Sequence, residues 1–227
     1  MRAHAAAAAL LRLAAAVVAV AVSATAATLV TAAAVEAADS RVVDVALAEV
    51  GGRLVTLSDV ALARGLHLFE LQPSDGPITT ADLDRYVDAQ LALAEATQLD
   101  IEVSTDDVAR AWDTAGGDAL AARLTSAGVD RGLARRLIEA DLRIERFVEL
   151  RFRAFAFVTD AEVEQALGPG SHDQAARNAA REELRAESAT RALLAWREEA
   201  RRRVPIRIIA SDPPWPLPFS LSPGLRP

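Results

Sequence analysis

Three short β-rich runs, two near the start and one near the end, constrain this otherwise helical chain more than any other feature. An apolar run ending at Ala48-Glu49-Val50 and a second, Leu54-Val55-Thr56, flank a Gly51-Gly52 pair. A two-residue Gly-Gly loop between such runs reads as a β-hairpin, because glycine supplies the positive φ that the tight primed turns need. A lone hairpin is marginal in water, so something must complete it. The third run, Arg203-Val204-Pro205-Ile206-Arg207-Ile208-Ile209, is too short and too β-branched to continue the helix before it. Proline at 205 confines this run to a sheet edge or a strand start, since it has no N–H for a ladder. Val204 to Ile209 is therefore expected to pair with the hairpin, beside Val43 to Leu47 or Leu54 to Thr56. That pairing clasps the two ends of the chain into one small sheet against the helices. The fold class that follows is mainly α with a small β-sheet.

The first forty residues have a different character. A positive head, Arg2 and Arg12, precedes an Ala- and Val-rich stretch, which is a secretory pattern. Small residues offer two cleavage sites, at Ala24-Thr25-Ala26 or at Val35-Glu36-Ala37, and the later one fits the point where the composition turns polar. The alternative is an uncleaved anchor, because Leu13 to Val35 carries no charge for 23 residues, enough to span a bilayer. The expected localisation is periplasmic or secreted, or inner-membrane anchored if the leader is kept. Domain organisation reads as a leader over 1–37, a module over 38–210 and a Pro-rich tail over 211–227.

Helix signals are dense between the clasping runs. Thr56 with Asp59, Thr79 with Asp82 and Thr159 with Glu162 stand in capping-box spacing, and Ser104 with Asp107 opens a further helix. These predict helices running to about Leu68, from Thr79 with Leu83, Tyr86, Val87, Leu91 and Ala94 recurring at helical spacing, from Ser104 through Trp112, and to Leu167. A piece from Asp118 to Thr125 ends at Gly128. The strongest helix is Arg131 to Arg153, with Leu133, Leu137, Ile138, Leu142, Phe147, Val148 and Phe152 on a broad apolar face. A long charged helix from about Asp173 to Arg202 follows Gly168-Pro169-Gly170, with Leu184, Leu193, Trp196 and Ala200 as a sparse stripe.

Two aromatic groups stand out. Four of the six Phe lie between Phe147 and Phe157, a cluster that reads either as core or as an exposed binding surface. After Ala210 comes a tail with six of the ten prolines, expected to be extended and mobile. Trp215 and Phe219 in that tail suit an aromatic-lined groove on a partner.

Several chemistries are disfavoured. Removing residues 1–37 takes away two Arg and one Glu, moving the net charge from -7 to -8, and an acidic chain lacks the cationic clusters that phosphate backbones need. All 25 basic residues are Arg, which removes lysine-dependent phosphate-loop and Schiff-base sites. With no Cys there is neither a lipid-anchored start nor a disulfide framework. Beyond the leader only His67 and His172 remain, too few for a convincing metal site. No Gly-x-Ser-x-Gly elbow is present, and Gly51-Gly52 lacks the third glycine of an anion cradle. Glu182, Glu183 and Glu187 among Arg181, Arg185 and Arg191 read as solvated pairing rather than an acid–base dyad. No catalytic residue, cofactor or nucleotide site is expected.

The ordered series of pieces resembles a known family. Val50-Gly51-Gly52-Arg53-Leu54-Val55-Thr56 followed by Ser58-Asp59 resembles the opening of the SurA-type periplasmic chaperones and related parvulin-type prolyl isomerases. "LALAEATQLDIEVSTDDV", "LTSAGVDRGLARRLIEADLRIERFVELRF", "FVTDAEVEQAL" and "ALLAWREEARRRVPIRII" resemble later parts of that family's first module, together covering nearly all of Val42 to Ile209. In larger members an isomerase domain enters after the short Thr-Asp-x-x-Val helix. Here only Gly168 to His172 separates that helix from the next. The resemblance thus implies the client-binding module without the catalyst: a holdase-like chaperone for unfolded exported or outer-membrane proteins. Candidate client-binding residues are Trp112, Phe147, Phe152, Phe155 and Phe157. The alternatives are a structural or assembly subunit that docks to one partner through its tail, and a residual prolyl isomerase.

Overall fold

The computed structural model describes residues 44–170, 173–210 and 212–219. The leader over 1–37 and His172 lie outside the described residues. The clasp anticipated from the sequence is present. Strand β1 (Ala46–Val50) runs antiparallel to β2 (Arg53–Thr56) on one side and to β3 (Ile206–Ile208) on the other, giving the order β2-β1-β3. The register places Ala48 opposite Ile208, Glu49 opposite Arg207 and Val50 opposite Ile206. Of the two placements expected, the one beside Leu54 to Thr56 is not formed, and the pairing lies closer to the turn than Val43 to Leu47, because β1 runs right up to Gly51. The Gly51 N–H donates to the Pro205 carbonyl at 2.9 Å, and the Ile209 N–H to the Leu47 carbonyl at 2.8 Å. Pro205 thus stands at the strand start and lends only its acceptor.

Gly51 and Gly52 have φ of 56° and 84°, the paired positive values that a type I′ turn demands. A Cβ at Gly51 would also lie 3.3 Å from the Val204 Cγ1 methyl, whereas nothing comes within 4 Å at Gly52. Gly51→Ala is therefore expected to lower stability by about 1–2 kcal/mol and Gly52→Ala by about 1 kcal/mol, measured by urea unfolding.

Among the described residues seven α-helices follow the hairpin: α1 (Leu57–Gly65), α2 (Thr80–Gln98), α3 (Thr105–Thr114), α4 (Gly117–Ser126), α5 (Arg131–Val148), α6 (Asp160–Leu167) and α7 (Gln174–Arg203). Full capping boxes start α1, α2 and α6, with Thr56, Thr79 and Thr159 each accepting from the N3 backbone while Asp59, Asp82 and Glu162 accept in return. Ser104, Asp130 and Asp173 cap α3, α5 and α7 through side-chain oxygens. On α2, Leu83, Tyr86, Val87 and Leu91 are buried as expected, but Ala94 faces water and Ala89, Ala92 and Ala96 take its place. The predicted pairing on α7 is only partly local. Arg185 binds Glu182 at 2.6 Å, but Arg181 and Arg177 cross to Asp160 and Glu164 of α6.

The helix expected over Arg131 to Arg153 changes winding at its end. Residues Glu149–Arg153 form a π-turn, with the Ala154 N–H donating to the Glu149 carbonyl at 2.9 Å. Five residues along an α-helix rotate a side chain by about 140° from its starting face, so Phe147 and Phe152 would diverge. The wider turn brings both onto Trp196 of α7, at centroid distances of 5.2 and 6.0 Å. Of the four-Phe cluster that reads either as core or as an exposed surface, Phe147 and Phe152 are core.

The tail differs from the expectation of a mobile extension. Trp215 pairs with Ile78 in an antiparallel bridge, N–H to carbonyl both ways at 2.8 and 3.0 Å. Trp215 is buried, and Leu217 and Phe219 pack against the core. The boundary at Ala210 therefore does not separate a module from its tail, since residues 212–219 belong to the module's packing. Proline-rich chain has little entropy to lose on being fixed, and one large aromatic anchors it.

Candidate functional site

The sequence-predicted client-binding residues divide by exposure. Trp112 is buried with the Arg135 guanidinium 5.2 Å from its ring, beside a small cavity of about 330 Å³ between α3, α4 and α5. Phe147 is fully buried and Phe152 nearly so, with Arg151 over both rings. These three do structural work and offer no surface to a client. Phe155 and Phe157 are the reverse, each 81% exposed on the segment between the π-turn and α6. Two unburied Phe two residues apart are informative where one would be ordinary. Trp215, expected to meet a partner, is likewise buried, and Phe219 is half-buried.

A groove of about 810 Å³ lies elsewhere, among α2, α3, α5 and α7. Ala89 and Ala92 of α2, Leu142, Ile144 and Val148 of α5, Ala111 of α3 and Leu193 of α7 supply its apolar walls. Its rim is charged. Arg197 meets Glu70 at 3.3 Å, Arg153 meets Glu149 at 3.5 Å, and Arg146 meets Asp107 at 3.6 Å. Asp107 also holds Arg110, and its carboxyl lies below the usual range because the Ser104 hydroxyl, helped by these arginines, stabilises the charge. Apolar and charged side chains thus share the lining about equally, which makes the trough amphipathic.

The loop between α1 and α2 forms part of the groove wall. His67, Phe69 and Glu70 line it, and all three have positive φ, 59°, 57° and 59°. For non-glycine residues that backbone costs on the order of 1 kcal/mol each. The Phe69 N–H donates to Asp141 of α5 at 2.8 Å, across 72 residues of chain. Burial pushes the Asp141 carboxyl up to about 6. The Phe69 N–H opposes this, Glu145 and Glu70 reinforce it, and among the described residues no cation offsets it.

Sequence reasoning missed Asp141 as a groove residue, though a signal existed. It stands four residues after Leu137 and three after Ile138, an inward position where a carboxylate needs a reason. His67 is exposed at the groove, in keeping with a solvated histidine. Among the described residues no group of three or more His, Cys, Asp or Glu is arranged to hold a metal ion. Nor is any described helix long and apolar enough to cross a membrane.

Fold and groove together define a helical module closed by the pairing of β1 with β3 and carrying an amphipathic trough. No protein-family model matches the chain, and no curated protein matches it.

Proposed function

We propose that this chain is an exported, non-catalytic holdase that shields extended, apolar-rich segments of unfolded secreted or outer-membrane proteins. The groove of about 810 Å³ carries this reading, because it joins apolar walls to a charged rim. Client side chains would be buried reversibly against α2 and α5, with the rim arginines and carboxylates engaging the client backbone. The sequence resemblance to the SurA-type first module points the same way. Phe155 and Phe157 add an exposed aromatic contact beside the core.

The test is suppression of aggregation of several unrelated unfolded outer-membrane proteins by residues 38–227. Failure with all of them sinks the reading. Phe155→Ser with Phe157→Ser is expected to leave urea stability within about 0.5 kcal/mol, since neither ring is buried, while weakening client protection severalfold. The exposure of the same two rings favours a second reading, a subunit docked permanently to one partner. Retention of a single partner in a pull-down, lost in that double variant, would support it. A residual prolyl isomerase is the third reading; acceleration of proline-limited refolding would bring it forward.

A further inference from the structure

The charges around the groove do not cancel. Six carboxylates and four arginines line it, and all four arginines are already taken: Arg197 by Glu70, Arg153 by Glu149, and both Arg110 and Arg146 by Asp107. Asp88 is held by Arg201 at 2.5 Å. Asp141 and Glu145 remain, with no cationic partner among the described residues. We infer that this pair is the docking point for a cationic client side chain, so that the groove selects extended apolar segments carrying a lysine or arginine over segments carrying an acid at the same place. This rests on the reading of the groove as the client site.

Asp141 and Glu145 stand four residues apart on α5, so they share a face with their Cβ atoms about 5–6 Å apart. Like charges at that spacing repel. The other carboxylates of the lining are each answered by an arginine, and these two are not. A single ammonium or guanidinium reaching both removes the repulsion and supplies the missing counter-charge. The wall beside them suits its stem. Leu142, Ile144 and Val148 of α5 and Ala89 and Ala92 of α2 line the same groove, and the methylenes of lysine or arginine pack along such a surface while the charged head stays with its partners.

Asp141 is oriented before a client arrives. Its Oδ1 accepts from the Phe69 N–H at 2.8 Å, a bond that favours the ionised carboxyl, and its Oδ2 has no partner among the described residues. Asp141 is half-buried and Glu145 exposed. One carboxylate therefore sits where water screens it less, and the other meets an incoming charge at the solvent side. The chain as a whole is acidic, with a net charge of -7, and a cleft with apolar walls focuses a field of one sign. A basic segment is drawn in, whereas an acidic one would bring a third carboxylate to two that have no counter-charge.

Two peptides of one extended, apolar-rich sequence, differing only in a central lysine or glutamate, test this by fluorescence anisotropy. The assay is run at pH 7.5, above the value of about 6 to which burial pushes Asp141, and at about 50 mM salt. The lysine peptide is expected to bind about tenfold or more tightly than the glutamate peptide, and the advantage to shrink severalfold at about 0.5 M salt. Asp141→Asn with Glu145→Gln keeps an acceptor for the Phe69 N–H and is expected to bring the two affinities within about twofold. Glu183→Gln with Glu187→Gln removes the same charge from exposed positions of α7 outside the groove lining, and is expected to keep the preference. Should the α5 double variant not fold, Glu145→Gln alone, at an exposed position, decides: a preference cut about threefold supports the docking point, and an unchanged one overturns it. Equal binding of the two peptides by the unaltered protein, survival of the preference in the α5 double variant, or its loss in the α7 variant overturns the inference and leaves the client reading standing. Binding of neither peptide removes the client reading of the groove and this inference with it.

Discussion

Replacing Arg64 with alanine is expected to destabilise the protein by about 3–5 kcal/mol, which for a chain of this size lowers Tm by roughly 10 °C. Arg64 is a charged residue sealed in the core, 2% exposed, with its ion-pair partner Asp82 at 8%. The guanidinium binds the Asp82 carboxylate at 3.2 Å, the Pro77 carbonyl at 3.0 Å and the Gly76 carbonyl. Asp82 at the same time completes the capping box of α2, accepting from the Thr79 N–H at 2.9 Å and the Thr79 hydroxyl at 2.8 Å. One guanidinium therefore ties α1 to the turn before α2 and to the cap that starts it. Its loss leaves a buried carboxylate uncompensated and two carbonyls unmet, and that penalty, rather than any net attraction of the pair, sets the size of the effect. The distinguishing measurement is a cycle by urea unfolding. Arg64→Met should cost nearly as much as alanine, whereas Arg64→Met with Asp82→Asn should recover part of the loss, because asparagine keeps an acceptor for the Thr79 N–H without the stranded charge. If Arg64→Met alone is harmless, the pair is not buried as described.

Local chemistry made much of the scaffold readable. A capping box is a relation over four residues, so Thr56 with Asp59 or Thr79 with Asp82 announces a helix start whatever surrounds it. The clasp was readable for a different reason. A Gly-Gly hairpin needs a third strand, and Ile206 to Ile208 lies in a β-branched run able to provide it. What stayed hidden depends on contacts between distant residues. Nothing near Glu149 announces a π-turn, which arises because Phe147 and Phe152 must share the face of Trp196. The aromatic cluster was visible as a cluster, but its division into buried Phe147 and Phe152 and exposed Phe155 and Phe157 follows from where that turn ends. Arg64 and Asp141 left a trace, each a charge on an otherwise inward face, yet their partners lie 18 and 72 residues away. The groove, built from four helices and a loop, had no local signature.

Trp215→Ala is expected to cost about 3 kcal/mol or more, the range for deleting a buried aromatic, and Phe219→Ala about 1 kcal/mol because that ring is only half-buried. The reason lies in what Trp215 covers. Its backbone closes both hydrogen bonds of Ile78, a residue with no exposed surface, and its side chain seals the core beside the turn that Arg64 grips. Arg64 reaches Gly76 and Pro77 from inside while Trp215 fastens Ile78 from the chain's far end. Two restraints on three consecutive residues cannot act independently, so Arg64→Ala combined with Trp215→Ala should destabilise by less than the sum of the single losses, with a coupling of about 1 kcal/mol by double-mutant cycle. Simple additivity would mean that the tail and the ion pair hold different parts of the fold. The same packing changes how a partner-binding experiment must be built. Cutting the chain after Ala210 removes Trp215 along with any contact the tail makes, so a partner lost on truncation reports an opened core as readily as a missing epitope. Phe155 and Phe157, already in water, can be changed without that confusion.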